Sequence, residues 1–232
     1  MRNWGEPIAH ALRGQRNGAL LGALVALLLL MPAIPAQWLL LLLLAAMCAA
    51  VWLLAGSGRR TRIAVTAVAL AGGLLLTLPI NRTEAVTPIG HTIDLGVIVL
   101  LLGFLVYAVA VLLRALLHAR RVDANTLFGA INLYIVIGLI WSLVYAIQAW
   151  LQPGAFHFSQ PHAEAATVHS LASFVYYSFI TQATQGYGDI TPVYPLTRSL
   201  VVIHTIIGQF YMAIVIAYFL GLYIAGNGRP GN

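Results

Sequence analysis

Long apolar runs separated by short polar segments make up most of the chain. The first uncharged run covers residues 17–58, and Pro32 and Pro35 divide it, because proline removes a backbone donor and disfavours a continuing helix. A run of about 20 apolar residues is long enough for a membrane-spanning helix. We therefore predict six spans, at Gly18–Ile34, Gln37–Gly56, Ile63–Ile80, Asp94–Leu117, Asn125–Leu151 and Leu196–Ala225.

The segment between the last two spans follows a different pattern. A polar stretch at 151–164 precedes an apolar stretch, Thr167–Thr181, which is shorter than a span and leads into a glycine-containing run at 184–189. We predict that this stretch is a re-entrant helix. Irregular backbone at membrane depth is tolerated where it is buried in protein or lines a watery cavity, so the run is predicted to line a pathway.

Composition agrees with a lipid environment. Hydrophobic residues make up 61% of the 232 residues and charged residues only 8%, whereas soluble domains carry about 25% charged residues. The fold class is therefore predicted to be an all-α membrane protein. The single cysteine, Cys48, excludes a disulfide within the chain and is interpreted as a small apolar side chain.

The chain contains arginine but no lysine, and the net charge is +6. With a cytoplasmic amino terminus, all arginines except Arg82 and Arg198 fall on the cytoplasmic side of the six spans, which fits the positive-inside rule. Both termini are thus predicted to be cytoplasmic. The arginines are too dispersed for a nucleic-acid-binding patch, so no nucleic-acid partner is expected.

The first span has an alternative interpretation. Basic residues precede it and small residues near Ala36 follow it, as in a secretory signal peptide. A retained helix is preferred because a second span follows immediately. The predicted topology is the same in both cases.

The glycine-containing run and its flanks resemble one family. Thr184–Asp189, read TQGYGD, resembles the TVGYGD selectivity filter of potassium channels. Ser178–Thr184 resembles the end of a pore helix, Ile190–Arg198 the outer linker, and Ile207–Gly221 is similar to the inner helix of bacterial two-helix-pore channels. The resemblance covers roughly the last hundred residues, and no family motif precedes about Asn125.

The resemblance implies a passive potassium channel in a prokaryotic plasma membrane, built as a homotetramer because the family's filter has four strands. Its cofactors would be potassium ions, with no organic cofactor, and membrane lipid would surround it. Backbone carbonyls would strip the ion of water, and Gly186 and Gly188 permit the dihedrals that this needs. The expected filter residues are Thr184, Gln185, Gly186, Tyr187 and Gly188, with potassium bound by the carbonyls of the first four and by the Thr184 hydroxyl.

Four further residues are expected to support the filter. The ring of Tyr187, itself a filter residue, would point away from the pore axis and brace the filter. Asp189, one of the four, would stand at the outer mouth. In some relatives a glutamate pairs with that aspartate, but Ile180 stands there in this chain, and Tyr177 is suggested as the replacement partner. The support set is Asp189, Thr181, Tyr176 and Tyr177.

Gln185 replaces the usual valine or isoleucine. In the family this side chain points behind the filter, where a buried amide needs partners. Thr181, Tyr176, Tyr177 and a buried water are the candidates. Either Gln185 is satisfied and potassium selectivity is kept, or selectivity and inactivation are altered; the first interpretation is favoured because both glycines and Tyr187 persist.

The first four spans do not have the pattern of a voltage sensor. That pattern needs arginine at every third position through a helix, whereas span four has only Arg114 before its end. The arginines there are interpreted as interfacial anchors. The predicted organisation is a cytoplasmic segment 1–17, a four-helix membrane domain 18–122, a pore domain 123–226 and a cytoplasmic tail 227–232.

Several residues are gating candidates. His157, His162 and His169 lie near the outer mouth, where they could sense pH or bind a metal, although solvated loop histidines are commoner. His204 lies within the last span and could bond Gln185 or the pore helix, or simply pack as a neutral side chain. Gly208 and Gly221 could be hinges, but close helix packing is the preferred interpretation.

Other functions are less well supported. The six acidic residues are scattered, and the chain has no HExxH, GxSxG or phosphate-binding loop, so an enzyme is not predicted. The short tail after the last span leads us to expect no cytoplasmic ligand-binding domain. The alternatives are a weakly selective sodium/potassium channel and, further removed, a polytopic transporter or enzyme.

Overall fold

The computed structural model describes residues 16–30, 88–118, 123–159 and 171–227. Within these ranges the chain is mostly helical, as predicted, with one pair of short antiparallel strands that the sequence did not predict. The second and third predicted spans lie outside the described residues. The elements are α1 (Arg16–Leu30), α2 (Pro88–Leu117), α3 (Ala124–Leu151), β1 (Phe156–Phe158), α4 (Leu171–Gln182), β2 (Ile190–Pro192) and α5 (Pro195–Asn227).

Three of the described helices are long and apolar enough to cross a membrane. Their spanning portions are Ile98–Leu117 of α2, all of α3, and Pro195–Leu222 of α5. Helix α3 begins one residue before its predicted start and ends at the predicted residue. Helix α2 starts at Pro88, six residues before its predicted start, because proline is well suited to the first position of a helix.

The amino end of α3 is fixed by a capping residue. Asp123 has extended dihedrals, and its carboxylate accepts a hydrogen bond from the Thr126 backbone N–H at 2.7 Å. Hydrogen bonds from the Thr126 hydroxyl and N–H lower the pKa of Asp123 below its usual value. The cap satisfies a donor that the helix itself leaves unpaired.

Helix α3 is the centre of the structure, since α1, α2, α4 and α5 all contact it. The apolar core lies between α1, α2 and α3 and includes Leu24, Leu105 and Val136, each with 0% of its surface exposed. Half of α3's spanning portion is buried, but only 11% of that of α5. Most of α5 is therefore left for contact with lipid or with other subunits.

A second, aromatic cluster closes the end of α3 that leads into β1. Tyr145, Phe156, Phe174 and Tyr177 meet mainly edge to face, with ring centroids 5.1–5.6 Å apart. The backbone N–H of Val193 donates to the Ala155 carbonyl at 2.9 Å and extends the strand pair. The pair joins the chain leaving α3 to the chain leaving the glycine-containing run, so it positions one end of that run.

Candidate functional site

Two glycines let α4 approach its neighbours closely. A Cβ on Gly138 of α3 would lie 2.7 Å from the Phe179 ring, and a Cβ on Gly208 of α5 would lie 2.6 Å from the Gln182 carbonyl oxygen. The Ser178 hydroxyl adds a 2.6 Å hydrogen bond to the Gly138 carbonyl. Helix α4 is thus wedged between α3 and α5, and its last residue rests on the backbone of α5.

The end of α4 holds the following residues by their backbone N–H groups. Thr184 N–H donates to the Thr181 carbonyl at 3.0 Å. Gln185 N–H donates to the Ile180 carbonyl at 2.8 Å, and Gly186 N–H reaches the same oxygen at 3.4 Å. These bonds satisfy carbonyls that a helix end leaves unpaired. They also fix the chain from Thr184 onward with its donors facing α4.

The dihedral angles alternate along this run. The φ angles of Thr184, Gly186 and Gly188 are 59°, 54° and 79°, whereas Gln185 and Tyr187 between them do not have positive φ. Alternating φ angles reverse the direction of every second peptide group compared with an extended strand. Successive carbonyl oxygens can therefore point to the same side of the chain. Thr184 adopts the left-handed region without being glycine, a strained conformation that is concentrated at functional sites.

The carbonyl oxygens of Thr184, Gln185, Gly186 and Tyr187 receive no hydrogen bond from any residue that the structure describes. The side chains of this stretch are exposed in the single chain. Four successive carbonyls with no protein donor are able to ligate a cation by oxygen alone. The carboxylate of Asp189 is the only anionic group adjacent to them in sequence.

The outer end of the run is bound to the residue that follows β1. Ser159 N–H donates to the Asp189 carbonyl at 2.8 Å, and its hydroxyl lies 3.4 Å from the Gly188 carbonyl. The Gly188 carbonyl therefore differs from the preceding four. No local sequence pattern indicates this contact, because a three-residue strand pairing across about 30 residues has no detectable periodicity.

A buried hydrogen-bonded chain lies behind the site. His204 of α5 has 0% of its surface exposed and stacks on Trp141 with centroids 4.6 Å apart. Its Nδ1 lies 2.9 Å from the Tyr145 hydroxyl, and its Nε2 lies 3.2 Å from Oε1 of Gln182 at the end of α4. Gln182 Nε2 in turn donates to the Tyr134 carbonyl at 2.9 Å.

The backbone carbonyl of Tyr134, at one end of this series of hydrogen bonds, determines which atom donates in each of them. A backbone carbonyl only accepts, so Gln182 must donate to Tyr134 through Nε2 and accept through Oε1. His204 then carries its proton on Nε2, and its Nδ1 accepts from the Tyr145 hydroxyl. A neutral imidazole satisfies every member, so α3, α4 and α5 are joined without a buried charge.

One contact reaches the site from α5. The Gln209 side chain lies with Nε2 3.4 Å from Oγ1 of Thr184. Gln209 follows Gly208, the residue that touches the end of α4. Sequence reasoning missed Gln209, Gln182 and Tyr145; the available sign was that amides are rare within apolar helices and need partners there.

The partner expected for Asp189 needs correction. The Tyr176 phenol, not that of Tyr177, lies beside the Asp189 carboxylate. Tyr177 faces the aromatic cluster instead, because residues one position apart point to different sides of a helix. The Gln185 side chain is exposed in the single chain and does not bond Thr181, Tyr176 or Tyr177 there. His204 bonds α4, the helix that was expected to be the pore helix, through Gln182; this is one of the three arrangements considered for it, and it does not bond Gln185.

The remaining predicted residues make few contacts in the single chain or lie outside the described residues. Tyr187 is 67% exposed in the single chain, so the described residues do not brace its ring. In the described part of the chain no atom lies within 4 Å of a Cβ added at Gly221, unlike at Gly208. His157 is exposed on β1, whereas His162 and His169 lie outside the described residues. Within the described ranges no group of three or more histidine, cysteine or acidic side chains could hold a metal.

Comparison with known proteins gives one match. A family model described as an ion channel, of the type with a two-helix pore, matches residues 133–224, from within α3 to near the end of α5. The matched region contains α4, the alternating run and both helices that enclose α4. Curated proteins and solved structures gave no match. The match and the apolar helices support an integral membrane protein that acts as an ion channel.

Proposed function

We propose that four copies of this chain form a passive potassium channel in which residues 184–188 of each copy supply one strand of the selectivity filter. The permeating ion would be the substrate of this site, and the backbone oxygens of Thr184, Gln185, Gly186 and Tyr187 would be its ligands. Each strand contributes one carbonyl to each ring, so the filter is complete only in the tetramer.

The observation that carries the proposal is the coincidence of alternating dihedrals with unpaired carbonyls. Positive φ at 184, 186 and 188 allows the carbonyl oxygens to face one side of the run. Hydrogen bonds to the end of α4 hold the N–H groups of residues 184–186 on the other side. A potassium ion can exchange its water for such oxygens at little net cost. A surface turn with the same sequence as Gly186–Asp189 would not need a buried helix end behind it.

The exposed surfaces support assembly into a tetramer. Only 11% of the spanning portion of α5 is buried in the single chain, and both Tyr187 and Gln185 are exposed beside the run. In the proposed tetramer a neighbouring α4 would cover them. Gln209 and Thr184 would line the cavity beneath the filter, where a cation keeps part of its water.

Electrostatics favours a cation at this place. Helix α4 ends at Gln182, directly before the run, and a helix carries a partial negative charge at its carboxyl end. Arginine is absent from residues 171–197, so no fixed positive charge from this part of the chain competes with the ion. Conduction then needs no energy source, because the ion moves down its own electrochemical gradient.

The runner-up is a weakly selective cation channel, favoured by one observation. The amide of Gln185 has no hydrogen-bond partner among the described residues, and an amide that stays unpaired in the tetramer would leave the filter less rigidly held. Potassium selectivity is preferred because Gly186, Tyr187 and Gly188 retain the pattern that the family uses.

Bilayer recordings with potassium on one side and sodium on the other test the proposal. A reversal potential far toward the potassium equilibrium potential is expected. Near-equal permeabilities would replace it with the weakly selective channel, and the absence of any current from correctly assembled protein would favour a transporter or enzyme. Gly186→Ala serves as the internal control, because a side chain at φ 54° should abolish current without removing a span.

A further inference from the structure

A polar seam lies between α1 and α3, away from the glycine-containing run. Asn17 Nδ2 donates to the Asn125 carbonyl at 2.8 Å, and Asn17 N–H donates to Asn125 Oδ1 at 3.1 Å. Deeper in the seam, Asn132 Nδ2 donates to the Asn17 carbonyl at 2.8 Å. Gly129 allows the close approach, since a Cβ there would lie 2.9 Å from the Asn17 amide.

Two acceptors in this seam have no partner among the described residues. Oδ1 of Asn17 and Oδ1 of Asn132 are buried and receive no hydrogen bond. Asn17 is 8% exposed and Asn132 is 0% exposed. A buried polar atom without a partner is rare in native proteins, and an unseen bound group is one of its ordinary explanations. The two amides offer oxygens, so the missing group must be a donor.

A cavity of about 210 Å³ adjoins the seam, and the unpartnered Asn17 lines it. One side is polar, with Asn125 and Thr126 of α3, and the other is apolar, with Leu112 and Leu116 of α2. The cavity can hold several atoms of a small ligand or headgroup and is larger than a single water requires. Its two-sided lining fits a ligand with a donating head and a hydrocarbon neighbour.

The cavity lies beside the ends of two helices that are long and apolar enough to span a membrane. Its α2 residues belong to the last turns of the span that ends at Leu117, and its α3 residues to the first turns of the span that begins at Ala124. Span ends meet the boundary between hydrocarbon and water. Phospholipids with an amine in the headgroup carry hydrogen-bond donors at that depth and, unlike water, also carry hydrocarbon that can rest on the apolar side of the cavity.

We infer that this cavity binds a primary ammonium group, supplied by an ethanolamine-type phospholipid whose glycerol and first methylenes rest on Leu112 and Leu116. The ammonium has three N–H donors and meets the acceptor Oδ1 of Asn17. A choline headgroup has the same charge but no N–H donor, so it leaves that oxygen unpaired. The inference concerns binding and stands whether or not the chain conducts potassium.

Native mass spectrometry of the purified, intact protein tests this with phosphatidylethanolamine and phosphatidylcholine of identical acyl chains. Roughly tenfold tighter binding of the ethanolamine lipid is expected, the equivalent of about 1.4 kcal/mol. Asn17→Ala should remove the preference. Free ethanolamine added to choline-lipid samples distinguishes the lipid from a soluble amine: competition shows that the site recognises the ammonium alone, and lack of competition shows that the whole lipid is needed.

A second variant decides the test if Asn17→Ala does not fold. Ala115 lines the cavity and is exposed, so Ala115→Phe fills the space without disturbing the core. This variant should also lose the preference. Ala110→Phe is the matched control, because Ala110 is an exposed alanine of the same helix outside the cavity lining. This variant should keep the preference for the ethanolamine lipid. Equal binding of the two lipids to the unmodified protein, or a preference that survives Ala115→Phe, would overturn the inference.

Discussion

At the scale of single residues, His204 shows how a buried polar group can be fully satisfied without charge. It accepts from Tyr145, donates to Gln182 and stacks on Trp141. The sequence identified His204 as an ionisable residue within a span, and the pore helix was one of the partners considered. The identity of its partner could not be derived, because the bond depends on how α4 ends against α5.

We predict that His204→Phe destabilises the protein by roughly 2–4 kcal/mol, because it leaves the Tyr145 hydroxyl and Gln182 Oε1 buried without partners. The thermal unfolding midpoint in detergent and potassium flux in vesicles should both fall. Thr205→Val is the control, since the Thr205 hydroxyl donates to the preceding turn of its own helix, at the Val201 carbonyl. Equal midpoints for His204→Phe and Thr205→Val would contradict the importance of the buried chain.

Gln185 is the residue on which the selectivity proposal most depends. We predict that Gln185→Val keeps conduction and either raises the potassium-to-sodium permeability ratio or slows inactivation, because an apolar side chain needs no partner behind the filter. Bilayer recordings of both proteins under identical gradients measure this. Loss of all current would show that the amide itself is required, and unchanged recordings would show that Gln185 has no part in selectivity.

At the scale of elements, the wedge of α4 between α3 and α5 depends on the absence of two side chains. The sequence predicted the ends of α3 and α5 to within two residues, because long apolar runs indicate spanning helices. It predicted packing at Gly208 in general terms but could not distinguish Gly208 from Gly221. The structure makes the distinction, since only Gly208 meets another element, at the Gln182 backbone.

We therefore predict opposite effects for two identical substitutions in α5. Gly208→Ala places a methyl group 2.6 Å from a carbonyl oxygen and must displace the end of α4, so conduction and thermal stability should both decrease. Gly221→Ala meets no atom of the residues that the structure describes and should be neutral or stabilise the helix by up to about 1 kcal/mol. If both variants behave alike, Gly208 does not support α4.

The strand pair could not be predicted at this scale. Phe156–Phe158 has only three residues, and its partner Ile190–Pro192 is distant in sequence, so neither periodicity nor turn residues indicate it. Its consequence is the contact of Ser159 with the carbonyls of Gly188 and Asp189. Pairing between distant segments is a tertiary property, and the local sequence does not specify it.

At the scale of the whole molecule, the inner helix of the proposed pore is tied to the helices that precede the pore. The Tyr211 hydroxyl donates to the Ala130 carbonyl of α3. The Tyr218 hydroxyl lies 3.3 Å from the Leu116 carbonyl and 3.5 Å from that of Leu117, at the end of α2. Leu116 also lines the cavity assigned to a lipid amine. One turn of α2 thus contacts both that cavity and α5.

We predict that Tyr218→Phe weakens the dependence of ion flux on ethanolamine lipids, because the contact between α2 and α5 is the path by which occupancy of the cavity would bias the inner helix. Flux in vesicles with and without that lipid measures the effect. Tyr107→Phe is the control, as Tyr107 is an exposed tyrosine of α2 with no hydrogen bond to the described residues. An equal lipid dependence in all three proteins would rule out this coupling.

The central claim is that carbonyls of residues 184–187 from four copies surround a line of potassium ions. Density along the symmetry axis of the assembled protein, determined once in potassium and once in sodium, tests it most directly. We expect a four-fold assembly with a column of ion density at the level of Thr184 to Tyr187, strong in potassium and altered or weakened in sodium. A monomer or dimer in a native-like membrane, or an axis without ion density at that level in potassium, would contradict it.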